Sequence, residues 1–345
     1  MKRYHFYSVI VPSYNRQEEI RELLNSFTHL QFPKEKYELI IADDGSTDGT
    51  ADLVKEFQRT SGFTLHFYRQ ENRGPGAARN MGMENAKGDF FIFIDSDCTV
   101  SPQWLRAIDA DLQREQADAF GGPDSFRADF PPLLKAINYS MTSFITTGGI
   151  RGHKKKGLGK YYPRSFNMGL SKGIYEKIGG FGGLRHGQDI EFSHRIIQSG
   201  AKVILVPDAV VYHKRRTSIK KFFRQVFNWG VARINLYKID PKMLEPVHAL
   251  PALVTLGVIL LIIGSLLSSV VWGLFKWLLV LGILVLAGSG IHAAAQYRSF
   301  RLLFLVPMVM PIQILGYGLG FISAFITRVI FKKGEFTGFR KKYYQ

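Results

Sequence analysis

The chain has 345 residues, with 45 Lys and Arg against 28 Asp and Glu, for a net charge of +17. That length is too great for one small core, so one large or two medium domains are expected. The single cysteine, Cys98, excludes a disulfide framework and fits a reducing compartment.

The N-terminal stretch MKRYHFYSVIVPSYNR has a basic start but neither a long apolar run nor a small-residue cleavage site, so it does not read as a signal peptide. From there strand-like and helix-like segments alternate. FYSVIVP is a β-rich run, and QEEIRELLNSF places Ile20, Leu23, Leu24 and Phe27 at helical spacing. YELIIA predicts a second strand and TADLVKEFQR a second helix. TLHFYR, GAARNMGMENA and DFFIFID continue as strand, helix and strand. This order predicts an α/β fold with a mostly parallel, Rossmann-like sheet covered by helices on both faces. Ligands of such sheets bind beyond the carboxyl ends of the strands. Polar clusters follow each strand in turn: PSYNR, DDGSTDGT, ENRGPGAARN and DSDC. All four are expected on one rim. The alternation weakens past residue ~115, and the Gly/Lys-rich run GGIRGHKKKGLGK at 148–160 reads as a mobile loop that could close over phosphates.

Three later stretches, 249–275, 277–297 and 302–327, contain no Asp, Glu, Lys or Arg. Each reaches the ~20 apolar residues that cross a bilayer. Residues 213–242, just before them, carry nine Lys and Arg against one Asp. That placement points to anionic lipid headgroups as the partner of the positive charge, and away from nucleic acid. A transporter is a poor reading, because the apolar runs hold no ionisable group of those four types.

The buried run FFIFI ends abruptly in Asp95 and Asp97. Two carboxylates so close repel unless a positive group joins them. A divalent cation, Mg²⁺ or Mn²⁺, prefers oxygen ligands and commonly shares them with substrate phosphates. The alternative is a turn whose Asp caps the helix of PQWLRAI. Asp43 and Asp44 could accept hydrogen bonds from a base or ribose. In NRGPGAARN, Arg79 stands where a dinucleotide fingerprint needs its third glycine, and an arginine there suits a phosphate or a nearby carboxylate.

Together SVIVPSYNR, IIADDGSTDGT, NRGPGAARNMG and FIFIDSD resemble family-2 glycosyltransferases of the GT-A fold over about residues 8–215. The resemblance implies a nucleotide-diphosphate-sugar donor, a divalent metal and inversion at the anomeric carbon. It implies that Pro12, Tyr14, Asp43, Asp44 and Arg79 line the nucleotide site, that Asp95 faces the ribose or metal, and that Asp97 ligates the metal. In GGFGGLRHGQDIEFSHRIIQSG, Gln188 replaces the family's usual first acid and Asp189 keeps the place of the general base. Asn167 and Gly169 resemble the strand under the donor sugar, with plain packing as the alternative. His213 either completes the metal shell or is a surface histidine beside the basic run. FFRQVFNWG is similar to the Q-x-x-R-W motif of processive synthases at Gln225 and Trp229, but Asn228 replaces the arginine. Trp229 either stacks on an acceptor sugar or anchors an interfacial helix.

The expected organisation is a cytosolic catalytic domain over 1–214, basic amphipathic interface helices over 215–247, a transmembrane region of about three helices over 248–331, and a basic tail over 332–345. The expected function is an inverting sugar transfer to a membrane-associated, polyprenyl-linked glycan or lipid acceptor at the inner or plasma membrane. A processive polysaccharide synthase and a non-catalytic nucleotide-sugar sensor are the alternatives. Retention of Asp95, Asp97 and Asp189 together favours an enzyme. Three crossings would leave the tail outside, against its positive charge, unless Pro307 and Pro311 make the third run re-entrant.

Overall fold

A computed structural model describes residues 4–125, 130–147, 162–213 and 218–339. The chain divides into two compact units. The first holds 4–125 and 162–213, and the second holds 130–147 and 218–339.

The first unit is built on a seven-stranded sheet. Its strands are β1 (Tyr7–Ser13), β2 (Tyr37–Asp43), β3 (Thr64–Arg69), β4 (Phe90–Ile94), β6 (Ala119–Gly121), β8 (Asn167–Ser171) and β9 (Val203–Leu205), in the order β3-β2-β1-β4-β8-β6-β9. Every neighbour pair is parallel except those made by β8, which runs against β4 and β6. Strands β1, β2 and β4 are buried on both faces, as their near-continuous apolar runs require. A smaller sheet, β5-β10-β7, joins Cys98–Val100, Val211–His213 and Asp124–Ser125.

One face of the large sheet carries α1 (Gln17–Thr28), α2 (Thr50–Thr60) and α4 (Trp104–Glu115). Their apolar stripes, including Leu24, Val54 and Ile108, meet Tyr7, Val9 and Val11 of β1. The other face carries α3 (Pro75–Glu84), α7 (Lys172–Ile178) and α8 (Gln188–Gln198), with Ala78, Phe192 and Ile196 packed on Ile10 and Phe93. The side chain of Asp48 ties the starts of α1 and α2 by accepting from Gln17 N at 3.0 Å and Thr50 N at 3.1 Å. Burial pushes that carboxyl up, but these bonds and the one from the Thr50 hydroxyl outweigh it and leave it below its ordinary value.

The second unit is helical: α5 (Pro132–Thr142), α6 (Phe144–Thr147), α9 (Ile219–Tyr237), α10 (Leu250–Ser265), α11 (Ser269–Gln296) and α12 (Leu302–Phe325). The single boundary expected at 214/215 therefore misses an excursion. Ala136, Ile137 and Met141 of α5 pack with Phe222 and Val226 of α9 and Val306 and Met310 of α12. Glycines bring the helix backbones together. A Cβ on Gly320 would lie 2.0 Å from Phe227 O, one on Gly230 2.0 Å from Tyr317 O, and one on Gly318 2.0 Å from Thr255 Oγ1.

The apolar runs divide differently from the sequence expectation. The break falls at 266–268, and Lys276 lies inside α11, its ammonium 5.6 Å from the centre of the Trp272 ring. Helix α10 is about 24 Å long and α11 about 42 Å, at 1.5 Å per residue. Among the described residues two helices, Ser269–Gln296 and Leu302–Ile330, are long and apolar enough to cross a membrane. Pro307 and Pro311 do not break α12, which continues through both and ends in a π-turn over Ile326–Ile330.

Candidate active site

The parallel pairing brings the carboxyl ends of β1 to β4 to one edge of the large sheet, and the antiparallel β8 starts there, with Asn167 opposite Ile94. Side chains then stitch the four strand-end loops together. After β1, Asn15 adopts a left-handed backbone with φ 50°, donates its N–H to Ser46 Oγ at 2.9 Å and accepts from Thr47 N at 2.7 Å. Pro12 is buried and Tyr14 half-buried in the same segment.

At the end of β2 the two aspartates do different work. Asp43 accepts from Ser46 N at 2.9 Å and from the Ser46 hydroxyl, and lies 3.6 Å from Arg69 Nε. Asp44 accepts from Arg73 N at 2.9 Å, Gly74 N at 2.8 Å and Gln70 Nε2 at 2.7 Å. Its carboxylate thus shapes the loop that opens α3, through backbone donors that a neutral side chain would bind more weakly. Gly45, at φ 86°, lets the chain turn between these loops: a Cβ there would stand 3.2 Å from Asn72 N. A hollow of about 450 Å³ opens beside it, lined by Gly45, Arg69, Gln70, Glu71 and Asn72.

Arg79 projects from α3 and donates Nη2 to Asp95 Oδ1 at 2.6 Å, with side chains 6% and 30% exposed. Its guanidinium also lies 5.3 Å from the centre of the Phe181 ring. The partner that the acidic turn needs is therefore partly internal. The turn itself is tight, with Cys98 N donating to Asp95 O at 3.0 Å before β5 leaves for the small sheet. Asp97 is no helix cap, because α4 begins at Trp104 with Gln103 as its N-cap and no side-chain cap bond. Burial pushes the Cys98 thiol well above its ordinary value, and Asp97, Asp95 and Asp124 push in the same direction. Asp124 is an acidic neighbour that the sequence reading missed. It comes from β7, and only the three-stranded sheet brings that strand near the turn.

These oxygen donors suit a hard divalent ion, which takes few carboxylates and completes its shell from phosphate and water. Among the described residues no group of three His, Cys, Asp or Glu forms a ready metal cage. His213 pairs with Cys98 across the small sheet, one residue from Asp97 in sequence, but its side chain lies outside the described residues. The loop at 148–160 also lies outside them.

Asp189 is the second residue of α8, and its Oδ2 lies 3.3 Å from Arg164 Nη1. Arg164 lies three residues before β8, so this pair belongs to the same edge. Gln188 rests on the start of α3: a Cβ on Gly76 would lie 2.8 Å from its amide. Asn80 fixes the Gly180-Phe181 turn before α8, donating to Phe181 O at 3.0 Å and accepting from Phe181 N at 2.7 Å. Glu191 takes no part in the open site, because Arg195 grips both its oxygens at 2.5 and 2.9 Å.

Of the two readings of Asn167 and Gly169, the geometry fits packing. The Asn167 amide is fully buried, accepting from Trp104 Nε1 at 3.1 Å and donating to Pro123 O at 3.1 Å and Ala209 O at 2.6 Å. Its amide donors are both used and the side chain is out of reach of the surface, so it offers no N–H to a sugar. Gly169 sits mid-strand opposite Ile92, where a Cβ would lie 2.6 Å from Phe91 O.

Trp229 is half-buried against the helical core and Gln225 is half-buried on the same helix, α9. Asn228 has a structural use: it donates to Phe339 O and accepts from Phe339 N, both at 2.9 Å. The Phe339 ring packs 4.9 Å from Phe227, with the Arg224 guanidinium 5.5 Å from its centre.

Residues 8–179 match the family model for glycosyl transferase family 2. Glycosyltransferase AglE of Haloferax volcanii is 28% identical over 253 residues, 73% of this chain and 81% of that protein. A dolichyl N-acetyl-α-D-glucosaminyl phosphate 3-β-D-2,3-diacetamido-2,3-dideoxy-β-D-glucuronosyltransferase of Methanococcus voltae is 28% identical over 239 residues, 66% of this chain and 73% of that one. Among solved structures, mannosyltransferase PcManGT of Pyrobaculum calidifontis, in complex with GDP-Man and Mn²⁺, aligns with a TM-score of 0.57 at 19% identity, over 97% of this chain and 89% of its own.

Proposed function

The chain belongs to glycosyltransferase family 2, and from that premise we propose that it moves a glycosyl group, with inversion, from a nucleotide-diphosphate-sugar to a hydroxyl of a lipid-linked or glycan acceptor at a membrane. One observation carries this reading. A single sheet edge gathers Asp43, Asp44, Arg79 and Asp95 with the start of α8, where Asp189 stands. Donor-holding and proton-accepting groups thus share one rim.

The strand-end loops of β1 to β3 hold the nucleoside, with Asp43 and the Arg69 guanidinium beside the hollow and Asp44 keeping the loop before α3 in shape. Asp97 and Asp95 would hold a divalent Mg²⁺ or Mn²⁺ ion, which when bound offsets the negative charge of the departing diphosphate. Asp189 takes the proton of the acceptor hydroxyl as the new oxygen–carbon bond forms at the anomeric centre. The bond from that carbon to the phosphate oxygen breaks, and its electron pair leaves with the nucleoside diphosphate. Attack and departure on opposite sides give inversion. An Asp in the first turn of a helix favours its ionised form through the helix dipole, which suits it to accept a proton.

The exposed apolar helices α10 and α11 support a place in the bilayer. Leu253, Leu260, Val270 and Leu284 are each more than half exposed and have no polar role. A lipid-linked acceptor fits such an anchor, and the dolichyl phosphate substrate named for the Methanococcus voltae relative supports that class. The reading places the catalytic unit in the cytoplasm.

The test is transfer by the purified full chain in lipid vesicles, with a panel of UDP- and GDP-sugars, polyprenyl phosphate-linked acceptors and Mn²⁺. Wild type is expected to release nucleoside diphosphate with one donor, and Asp189→Asn to lose about 10²–10⁴-fold in turnover. Donor binding without turnover in the wild type would instead support a sensor.

A further inference from the structure

The three polar residues that open α8 are held very differently. The Gln188 amide lies on Gly76 and donates to Gly182 O at 3.3 Å. Glu191 is locked by Arg195, whose remaining donors bind Ile178 O and Gly180 O, both at 2.7 Å. Asp189 keeps one oxygen against Arg164, and among the described residues its Oδ1 takes no side-chain hydrogen bond. Its carboxylate is 27% exposed and the arginine 18% exposed, so the pair is partly shielded and still reachable from the rim.

Arg164 stands on a stiff foundation. Its own carbonyl accepts from Asn167 N at 2.9 Å, and the Asn167 side chain is bonded to Trp104, Pro123 and Ala209. The preceding carbonyl, Pro163 O, accepts from the buried Ser193 hydroxyl at 2.7 Å. Ser193 lies four residues beyond Asp189, one turn further along the same face of α8. The Tyr162 ring lies 6.3 Å from the His194 ring. Residues 162–164 are thus laid along the first turns of α8, joined to it at two heights. An Asp in the first turn of a helix has several rotamers open to it, and a guanidinium fixed at one oxygen selects one of them.

We propose that Arg164 is the positioning residue for Asp189: it holds Oδ2 and thereby aims Oδ1 at the acceptor hydroxyl. This rests on the reading of Asp189 as the base. Small misplacements of a catalytic group cost on the order of 10²-fold, so the arginine has a kinetic signature distinct from that of a folding contact. Loss of the guanidinium lowers kcat and leaves the donor KM unchanged, because the donor groups lie on other loops.

The experiment uses the full chain in vesicles. Arg164→Ala and Arg164→Met are expected to lose about 10- to 100-fold in kcat with unchanged donor KM and unchanged unfolding temperature. Arg164→Lys should recover part of the loss. Guanidinium ion at tens of millimolar should raise the rate of Arg164→Ala and leave Asp189→Asn and wild type unaffected. Full kcat in a folded Arg164→Met protein, a loss confined to donor KM, or no response of folded Arg164→Ala to guanidinium would each overturn the assignment. Asp189→Asn separates the two levels. If it retains transfer, the base itself is misread; if it is inactive while Arg164→Met is unimpaired, only the positioning role fails.

Discussion

In the sheet unit, carboxylates sit at strand ends, tied to backbone N–H groups or arginines; Asp44 is buried with both oxygens bonded, whereas Asp95 is 30% exposed and gives Arg79 one oxygen. Asp44 grips Arg73 N and Gly74 N, and Asp95 grips Arg79. In the helical unit, several buried polar side chains bond to one another or to backbone: Ser140 donates to Gln313 at 2.8 Å, Asn228 clamps Phe339, and Asn235 donates to Phe336 O at 3.0 Å. A polar group that is only half-satisfied inside the protein has capacity for a ligand, whereas a fully satisfied one fixes a fold. The contrast supports the proposal that chemistry takes place at the sheet edge and that the helices serve as anchor.

The comparison breaks most visibly where the helices touch through glycine. Gly320→Val forces a side chain into Phe227 O, which a bare Cβ would already meet at 2.0 Å. The expected cost is about 3 kcal/mol or more, from overpacking that neither backbone can relieve. Thermal unfolding in detergent, followed by fluorescence, reads the effect: Trp229, Trp272 and Trp277 report the helical unit and Trp104 the sheet. An early loss of the first signal with the second retained supports the division. A simultaneous and unchanged transition would show that the two backbones are not pressed together.

A smaller change sharpens the other side. Asp44→Ala removes a charged acceptor from Gln70, Arg73 and Gly74, worth about 1.5–3 kcal/mol of loop stability. Donor KM should rise about 10-fold while turnover at saturating donor changes less. Equal donor KM in the variant would mean that this loop does not meet the nucleotide.

Much of the sheet was legible because its signals are local. The runs at Tyr7–Ser13, Tyr37–Asp43 and Thr64–Arg69 are short, apolar and bounded by polar loops, and they form strands at nearly the predicted positions. The rim followed from a general rule about parallel sheets, and Arg79, for which a phosphate or a nearby carboxylate was expected, lies 2.6 Å from Asp95. What stayed hidden depends on partners distant in sequence. The resemblance offered Asn167 as part of the strand under the donor sugar, with packing as the alternative, and its bonds to Trp104, Pro123 and Ala209 exist only in three dimensions. Asp124 and Arg164 sit outside any motif, and β7 and the loop before β8 bring them to the site. The split of the apolar runs was misplaced because Lys276 looked like a boundary. A lysine stem is long enough to lie along a helix, and here its ammonium sits by Trp272. Of the two courses left open for the third run, the prolines of α12 accompany an unbroken helix. Pro307 packs on Gly290, whose added Cβ would lie 3.2 Å from the proline ring, and the helix continues past it.

The central claim is that the acidic turn at Asp95 and Asp97 grips the donor through a divalent ion. Calorimetric titration of the full chain with the nucleoside diphosphate of its preferred donor, with and without Mn²⁺, addresses it directly. Wild type should bind only with the ion, and Asp97→Asn should bind about 100-fold more weakly, a loss of about 2.7 kcal/mol, and indifferently to the ion. Equal affinity in both proteins, with or without Mn²⁺, would contradict the account.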